Sequence, residues 1–268
     1  MPRPATLTGT HSALGALWVP VAGSIARVKT SAGPGSDTGE VSETGSRLVV
    51  AVDGPSGAGK SSASRGAAAA LGLRYLDTGA MYRALTWWLL QRGVDTSDAA
   101  AVAELAAEPL IDVNTDPKAP WTRVDGVDVS AAIRSREVTG AVSAVAAVPR
   151  VRAHLIAMQR EIISRAPGIV AEGRDIGTVV APDAPVKVFL TADGAARASR
   201  RATEASWSAA STRAEQDRRD RLDAAQSEKA ADAVVIDSTG LELDQVVDTI
   251  VRLAREHAGV SFPRQKSR

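Results

Sequence analysis

An α/β fold is predicted, with a parallel five-stranded sheet flanked by helices and a phosphate-binding P-loop, and three observations predict it. Short apolar runs of strand length recur at 48–52, 73–76, 168–171, 186–191 and 233–236. Helical periods lie between them, at Met81, Leu85, Trp88 and Leu89, at Val151, Leu155, Met158 and Ile162, and at Val246, Ile250 and Leu253. The first run ends in Gly54-Pro55-Ser56-Gly57-Ala58-Gly59-Lys60-Ser61-Ser62, which satisfies G-x-x-x-x-G-K-[ST] in full. Strands alternating with helices imply a parallel sheet joined by right-handed crossovers.

Along the chain, residues 1–46 are rich in Gly, Ala, Ser, Thr and Pro, and their one apolar patch, Ala13 to Val21, is interrupted by Pro20. They read as a disordered extension or an upstream start codon; Arg3, the patch and Ala22-Gly23-Ser24 imitate a secretory signal only weakly. From Arg47 the pattern changes to Leu48-Val49-Val50-Ala51-Val52, which suits a strand buried on both faces. The stretch Asp112 to Arg136 breaks the rhythm with Asn, Asp, Pro and Gly between short Val-rich pieces, and predicts an insertion with its own hairpin or small sheet. Residues 47–258 are expected to form the domain and 259–268 a flexible tail.

Composition bounds the function. The 268 residues are 44% hydrophobic but only 3% aromatic, so the core must be built mainly from Ala, Val, Leu and Ile. Thirty-two basic residues against 31 acidic ones leave a net charge of +1, without the global field that a nucleic-acid binder uses. No run of about 18 apolar residues occurs, so no membrane span is expected. With no cysteine, disulfides, thiolate metal sites and cysteine nucleophiles are excluded, and a reducing interior is compatible. A cytoplasmic monomer binding neither nucleic acid nor membrane is expected. Among the basic residues 26 are Arg and six Lys, and the planar Arg fork suits phosphate.

The loop at 54–62 carries the first chemistry. Its glycines let backbone N–H groups close round anionic oxygens at a helix N-terminus, Lys60 would reach the β- and γ-phosphates, and Ser61 would support Mg²⁺. Alone, the motif says that a nucleoside triphosphate binds. An Asn-Lys-x-Asp guanine motif is absent, which disfavours a GTPase, and the chain is short for a large ATPase machine. A small kinase needs a second anion site facing the first. Arg83, after the second strand, and Arg174-Asp175, after the third, are placed for it, because ligands gather at the carboxyl ends of strands in open α/β sheets. Taken singly, Tyr82 reads equally as a core aromatic, Asp77 as a helix cap, Ser143 and Thr78 as ordinary polar residues, Arg152 as a solvated helix face, and Arg174-Asp175 as a surface ion pair.

Five blocks together resemble the bacterial-type cytidylate (CMP/dCMP) kinases, over about Leu48 to Arg255. They are Asp53 to Lys60, Leu76-Asp77-Thr78-Gly79-Ala80-Met81-Tyr82-Arg83, Val145 to Arg152, Glu172-Gly173-Arg174-Asp175-Ile176-Gly177-Thr178-Val179-Val180 and Ala233 to Thr239. The first is generic to P-loops and the other four are specific in this order. The resemblance implies ATP and Mg²⁺, a small inserted monophosphate-binding unit at about 110–167 within a core of 47–109 and 168–258, and a short helical lid at about 197–222. It implies that Thr78, Tyr82 and Arg83 line the CMP pocket, that Ser143, Arg152 and Asp175 meet the cytosine edge, and that Arg174 holds the CMP phosphate. Asp223 with Arg219 would hold the sugar hydroxyls. A carboxylate at Asp175 accepts from the cytosine amino group and would face the uracil carbonyl unfavourably.

Between Arg197 and Asp223, seven arginines meet five acids. By composition this is a charged helical hairpin; the resemblance makes it a lid in which Arg197, Arg200 and Arg201 approach the migrating phosphoryl group. The sequence also departs from the family here. The linker from Arg201 to Arg219 is short, Gln226 stands where the family has an arginine, and a Pro-Leu is missing. These departures leave open a second reading, a nucleotide-binding module of the same fold with weakened or lost catalysis.

Overall fold

A computed structural model of the chain describes residues 47–205, 218, 220–223 and 227–258, with the side chains of 201–205 outside that description. The N-terminal 46 residues, the central part of the expected lid, Arg219, Gln226 and the tail after 258 lie outside the described residues.

The first apolar run becomes β1 (Val49–Asp53), followed across the glycine-rich turn by α1 (Lys60–Leu71). β2 (Arg74–Asp77) leads directly into α2 (Thr78–Gln91), and α3 (Ala99–Leu105) closes the first half. Then come three short strands, β3 (Ile111–Val113), β4 (Thr122–Val124) and β5 (Val127–Asp128), a 3₁₀ turn at Ala132–Arg134, and the helices α4 (Arg136–Ala147) and α5 (Pro149–Arg165). The chain re-enters the main sheet with β6 (Ile169–Gly173), makes one π-helical turn at Ile176–Val180, and continues through β7 (Val186–Thr191), α6 (Gly194–Ala205), β8 (Val234–Asp237) and α7 (Leu243–His257).

The five long strands lie in the order β2-β6-β1-β7-β8, and every pairing is parallel. Burial on both faces explains the continuous apolar runs. Val50 and Val52 of β1 join Ala63, Ala67, Val246 and Ile250 in one core, against α1 and α7. Ala51, between them in sequence, joins Met81, Leu85 and Leu155 in the other, against α2 and α5. Small side chains let α1 and α7 approach closely, as an Ala-rich helix after a phosphate loop permits. The exception is β8, where Val234 and Val235 are exposed and only Ile236 is buried, as suits an edge strand.

The irregular stretch forms a three-stranded antiparallel sheet, β3-β4-β5, turned at Asp125-Gly126. Both turn residues have positive φ, 51° and 83°, the pairing that tight hairpins require. Asp125 also fastens this sheet to α2: Trp88 Nε1 donates to its Oδ2 at 2.8 Å and Leu110 N to its Oδ1 at 2.9 Å.

Candidate active site at the carboxyl ends of the strands

Because all five strands run the same way, their carboxyl ends share one side of the sheet, where the segments after β1, β2 and β6 line a cavity of about 620 Å³. The phosphate loop forms its floor. Gly59 caps α1 in the left-handed region, φ 91°, without any side-chain cap, so the first N–H groups of the helix face the cavity with no competing acceptor from the loop's own side chains. Ser56, Gly57, Gly59, Lys60, Ser61 and Ser62 line it, while Ala58 packs into the core behind. Lys60 Nζ donates to Pro55 O at 2.8 Å, which folds the ammonium back over the loop.

Opposite stands the arginine after β6. Arg174 Nη1 donates to Gly54 O at 3.0 Å and its Nη2 to Asp223 Oδ2 at 2.8 Å, with Asp220 at 3.9 Å. One guanidinium thus bridges the phosphate loop and the helical residues 220–223. Arg174 and Asp175 do not pair with each other. Asp175 accepts instead from Arg152 Nη2, which reaches in from the third residue after Pro149 on α5.

α2 supplies the next wall. Asp77 caps it by accepting from Ala80 N at 2.9 Å, and Thr78, Tyr82 and Arg83 then project toward the cavity. Thr78 donates to Glu172 O at 2.6 Å, and Arg83 Nη1 donates to Thr139 Oγ1 at 2.9 Å and Ile133 O at 3.2 Å. Burial pushes the Tyr82 phenol up to about 12, with Arg152 opposing and Asp175 adding to the shift. Ser143 on α4 completes the same wall, its hydroxyl buried and without a partner. Asp223 lines the cavity from the far side.

The lid arginines expected at the site lie behind the loop. Arg197 Nη1 donates to Ser56 O at 3.2 Å and to Asp220, and Arg200 holds Ser238 through its Oγ at 2.9 Å and its O at 2.6 Å. Ser238 in turn donates to Ala58 O and Thr191 O, so Arg200 is tied to the loop through one hydroxyl. Gly54 and Pro55 contribute backbone oxygens to Arg174 and Lys60.

Two carboxylates at strand ends were not singled out from sequence. Asp53, the last residue of β1, accepts from Ile176 N and Gly177 N, each at 2.8 Å, and burial raises its carboxyl against those two bonds. Glu172 on β6 is buried, accepts from the Tyr75 hydroxyl, and has Lys60 and Ser61 beside it. Burial first, and Asp77 second, push it up to about 7. The signal available was position alone: an acid closing an apolar run that leads into a glycine-rich turn.

The raised Glu172 carboxyl has a consequence for stability. Below the usual 4.5 both folded and unfolded chains hold the proton and the group is neutral in effect; between 4.5 and about 7 the unfolded chain releases it first, and above that the folded state bears the full penalty. Glu172→Gln is therefore expected to raise the thermal midpoint at pH 8, by roughly 5 °C for a gain of roughly 2 kcal/mol. At pH 5 the two proteins should melt nearly together. Melting curves from pH 5 to pH 8 check this, and a constant difference across the range would count against it.

Comparison with known proteins follows the same chemistry. A family model described as cytidylate kinase matches residues 50–256. A protein named cytidylate kinase from Streptomyces avermitilis is 51% identical over 215 residues, covering 78% of this chain and 93% of the relative. Another of that name from Streptomyces griseus subsp. griseus is 53% identical over 214 residues, with 78% and 93% covered, and one from Corynebacterium diphtheriae is 48% identical over 220, with 79% and 96% covered. With the phosphate loop, the arginine bridge and the Asp175–Arg152 pair inside the matched span, the chain belongs to the cytidylate kinase family.

Proposed function

We propose that the chain transfers the γ-phosphoryl group of ATP to CMP or dCMP, giving ADP and CDP or dCDP, as a monomer acting on free nucleotides. The observation that carries this reading is Arg174, which touches the loop that would hold ATP and the acid, Asp223, that would hold the acceptor's sugar. ATP would lie along residues 54–62 with Lys60 turned from Pro55 O to its phosphates. CMP would lie between α2, α4 and α5, its phosphate on Arg83 and Arg174, its base against Ser143, Arg152 and Asp175, and its sugar on Asp223 and Arg219.

An oxygen of the CMP phosphate attacks the γ-phosphorus in line, the bond from that phosphorus to the bridging oxygen breaks, and ADP leaves. The acceptor oxygen is already ionised, so no general base is needed, and positioning with charge neutralisation sets the rate. Lys60 and Arg174 supply the positive charge from the cavity wall, and Arg197 and Arg200 would add theirs on turning from Asp220 and Ser238. The Ser61 hydroxyl with the buried Glu172 carboxylate beside it is an all-oxygen donor set that fits Mg²⁺, which would neutralise phosphate oxygens when bound with ATP. Residues 110–167 form the acceptor-side unit in this reading, and α6 carries the arginines that follow the migrating group.

A coupled assay of ADP release across CMP, dCMP, UMP and AMP tests the reading. CMP and dCMP should support turnover well above UMP and AMP; folded protein that releases no ADP with CMP would overturn it. Asp175→Asn keeps a partner for Arg152 but adds a donor where the cytosine amino group approaches, and should narrow the CMP-to-UMP ratio of kcat/KM by roughly tenfold. An unchanged ratio would mean that Asp175 does not read the base.

A further inference from the structure

Three buried polar atoms beside the acceptor wall have no hydrogen-bond partner among the described residues: Tyr82 Oη, Ser143 Oγ and Gln159 Nε2. Two of these residues line the cavity, where a ligand can satisfy them. Gln159 does not. It lies on α5 at 1% exposure, on the buried stripe of Val151, Leu155, Met158 and Ile162, where a leucine would fill the space without leaving a donor unmade. Seven residues separate it from Arg152, so both project from nearly the same side of the helix, about 10 Å apart along its axis. α5 packs against α2 and sets the Gln159 carboxamide beside the Tyr82 phenol, where its N–H favours the ionised oxygen, yet Nε2 and Oη do not reach ordinary hydrogen-bond geometry. A buried donor beside an unpartnered hydroxyl, on a residue that lines a substrate cavity, marks a contact reserved for the occupied state.

We propose that Gln159 is a positioning residue for the acceptor nucleotide: in the occupied site its carboxamide N–H donates to Tyr82 Oη and thereby turns the phenol hydrogen into the cavity, toward an acceptor atom of CMP. The phenol hydrogen lies in the ring plane and has two orientations. A donor on one side of the oxygen removes the orientation that points at it, and Tyr82 becomes a fixed donor beside the acceptor Asp175. Nothing is transferred in this step; one hydrogen bond is added and one hydroxyl rotor is set.

The inference rests on CMP being the acceptor, so wild-type turnover with CMP is measured first and its absence counts against that reading alone. Gln159→Met keeps the shape and removes both polar groups. Its thermal midpoint should match or exceed the wild type, while KM for CMP rises about fivefold to tenfold and KM for ATP stays within twofold. Gln159→Glu, which can only accept when ionised, turns the phenol hydrogen away from the cavity and should raise KM for CMP further than Met does. Tyr82→Phe should raise KM for CMP without touching KM for ATP, and adding Gln159→Met to it should change KM for CMP by less than twofold, because Gln159 acts through the phenol oxygen. Restoring the wild-type KM needs both groups. An unchanged KM for CMP in Gln159→Met, equal rises for ATP and CMP, or effects of Gln159→Met and Tyr82→Phe that multiply would each overturn the proposal. Should Gln159→Met fail to fold, a Tyr82→Phe enzyme with wild-type KM for CMP would overturn it as well.

Discussion

Arg174→Ala is expected to lower turnover about a thousandfold, a loss of about 4 kcal/mol in transition-state stabilisation, with the fold kept. The guanidinium sits between Gly54 O at 3.0 Å and Asp223 Oδ2 at 2.8 Å, with its side chain 19% exposed. It contacts both the phosphate loop and Asp223, so the charge spread over a migrating phosphoryl group would develop against it. Removing it leaves Asp223, itself 9% exposed, facing that charge without its counter-ion. Arg174→Lys should recover little, since an ammonium cannot donate to the loop and to a carboxylate in the fixed fork geometry of arginine. Single-turnover and steady-state rates with CMP and ATP check this; a loss under tenfold would remove Arg174 from the transferring machinery. KM for ATP should move less than kcat, because Lys60 and the loop backbone keep their contacts.

Gly54→Ala should be the most damaging single change to folding. Gly54 has φ 146°, and a Cβ there would come within 2.0 Å of Leu190 O and 3.0 Å of its carbonyl carbon, both backbone atoms of β7. β7 pairs with β1 on one side and β8 on the other, so it cannot withdraw without breaking the sheet. A destabilisation of about 4 kcal/mol or more, equivalent to roughly 10 °C in midpoint, is expected. Gly59→Ala provides the comparison. Its φ of 91° is also unfavourable, but the nearest atom to a Cβ is an Arg200 nitrogen at 3.9 Å, so strain acts there without a backbone collision. Its effect should stay near 1–2 kcal/mol. Equal midpoints for the two variants would show that the sheet, not the glycine, absorbs the difference.

How far the sequence reached depended on how local each feature is. The strands were legible to within two residues because two-sided burial writes a continuous apolar run, and the hairpin insertion because Asn, Asp, Pro and Gly interrupt it. The phosphate loop was legible because its function needs residue types at fixed spacing. Pairings were not. Arg174 and Asp175 are neighbours in sequence, yet one joins Asp223 and the other Arg152, because the backbone after β6 sends successive side chains to opposite walls. Glu172 and Asp53 were hidden because each is a single acid near the end of an otherwise apolar strand, Asp53 the last residue of β1 and Glu172 the last but one of β6. Gln159 is hidden in the same way, as one polar residue in a stripe defined by its apolar neighbours. A helical period reports which face is buried and is silent on whether a polar member of it has found a partner.

Asp53 carries a consequence in the time domain. Its two oxygens hold the amides of Ile176 and Gly177, immediately after the arginine and the aspartate that face the cavity. Those amides belong to no strand, yet deuterium can reach them only when the buried end of β1 parts from the turn. They should exchange as slowly as the amides of the central strands, with an opening free energy close to that of the whole domain. The segment bearing Arg174 and Asp175 therefore keeps step with the phosphate loop through every smaller motion. In the proposed reaction, any opening and shutting around a nucleotide would fall to the elements on either side of it.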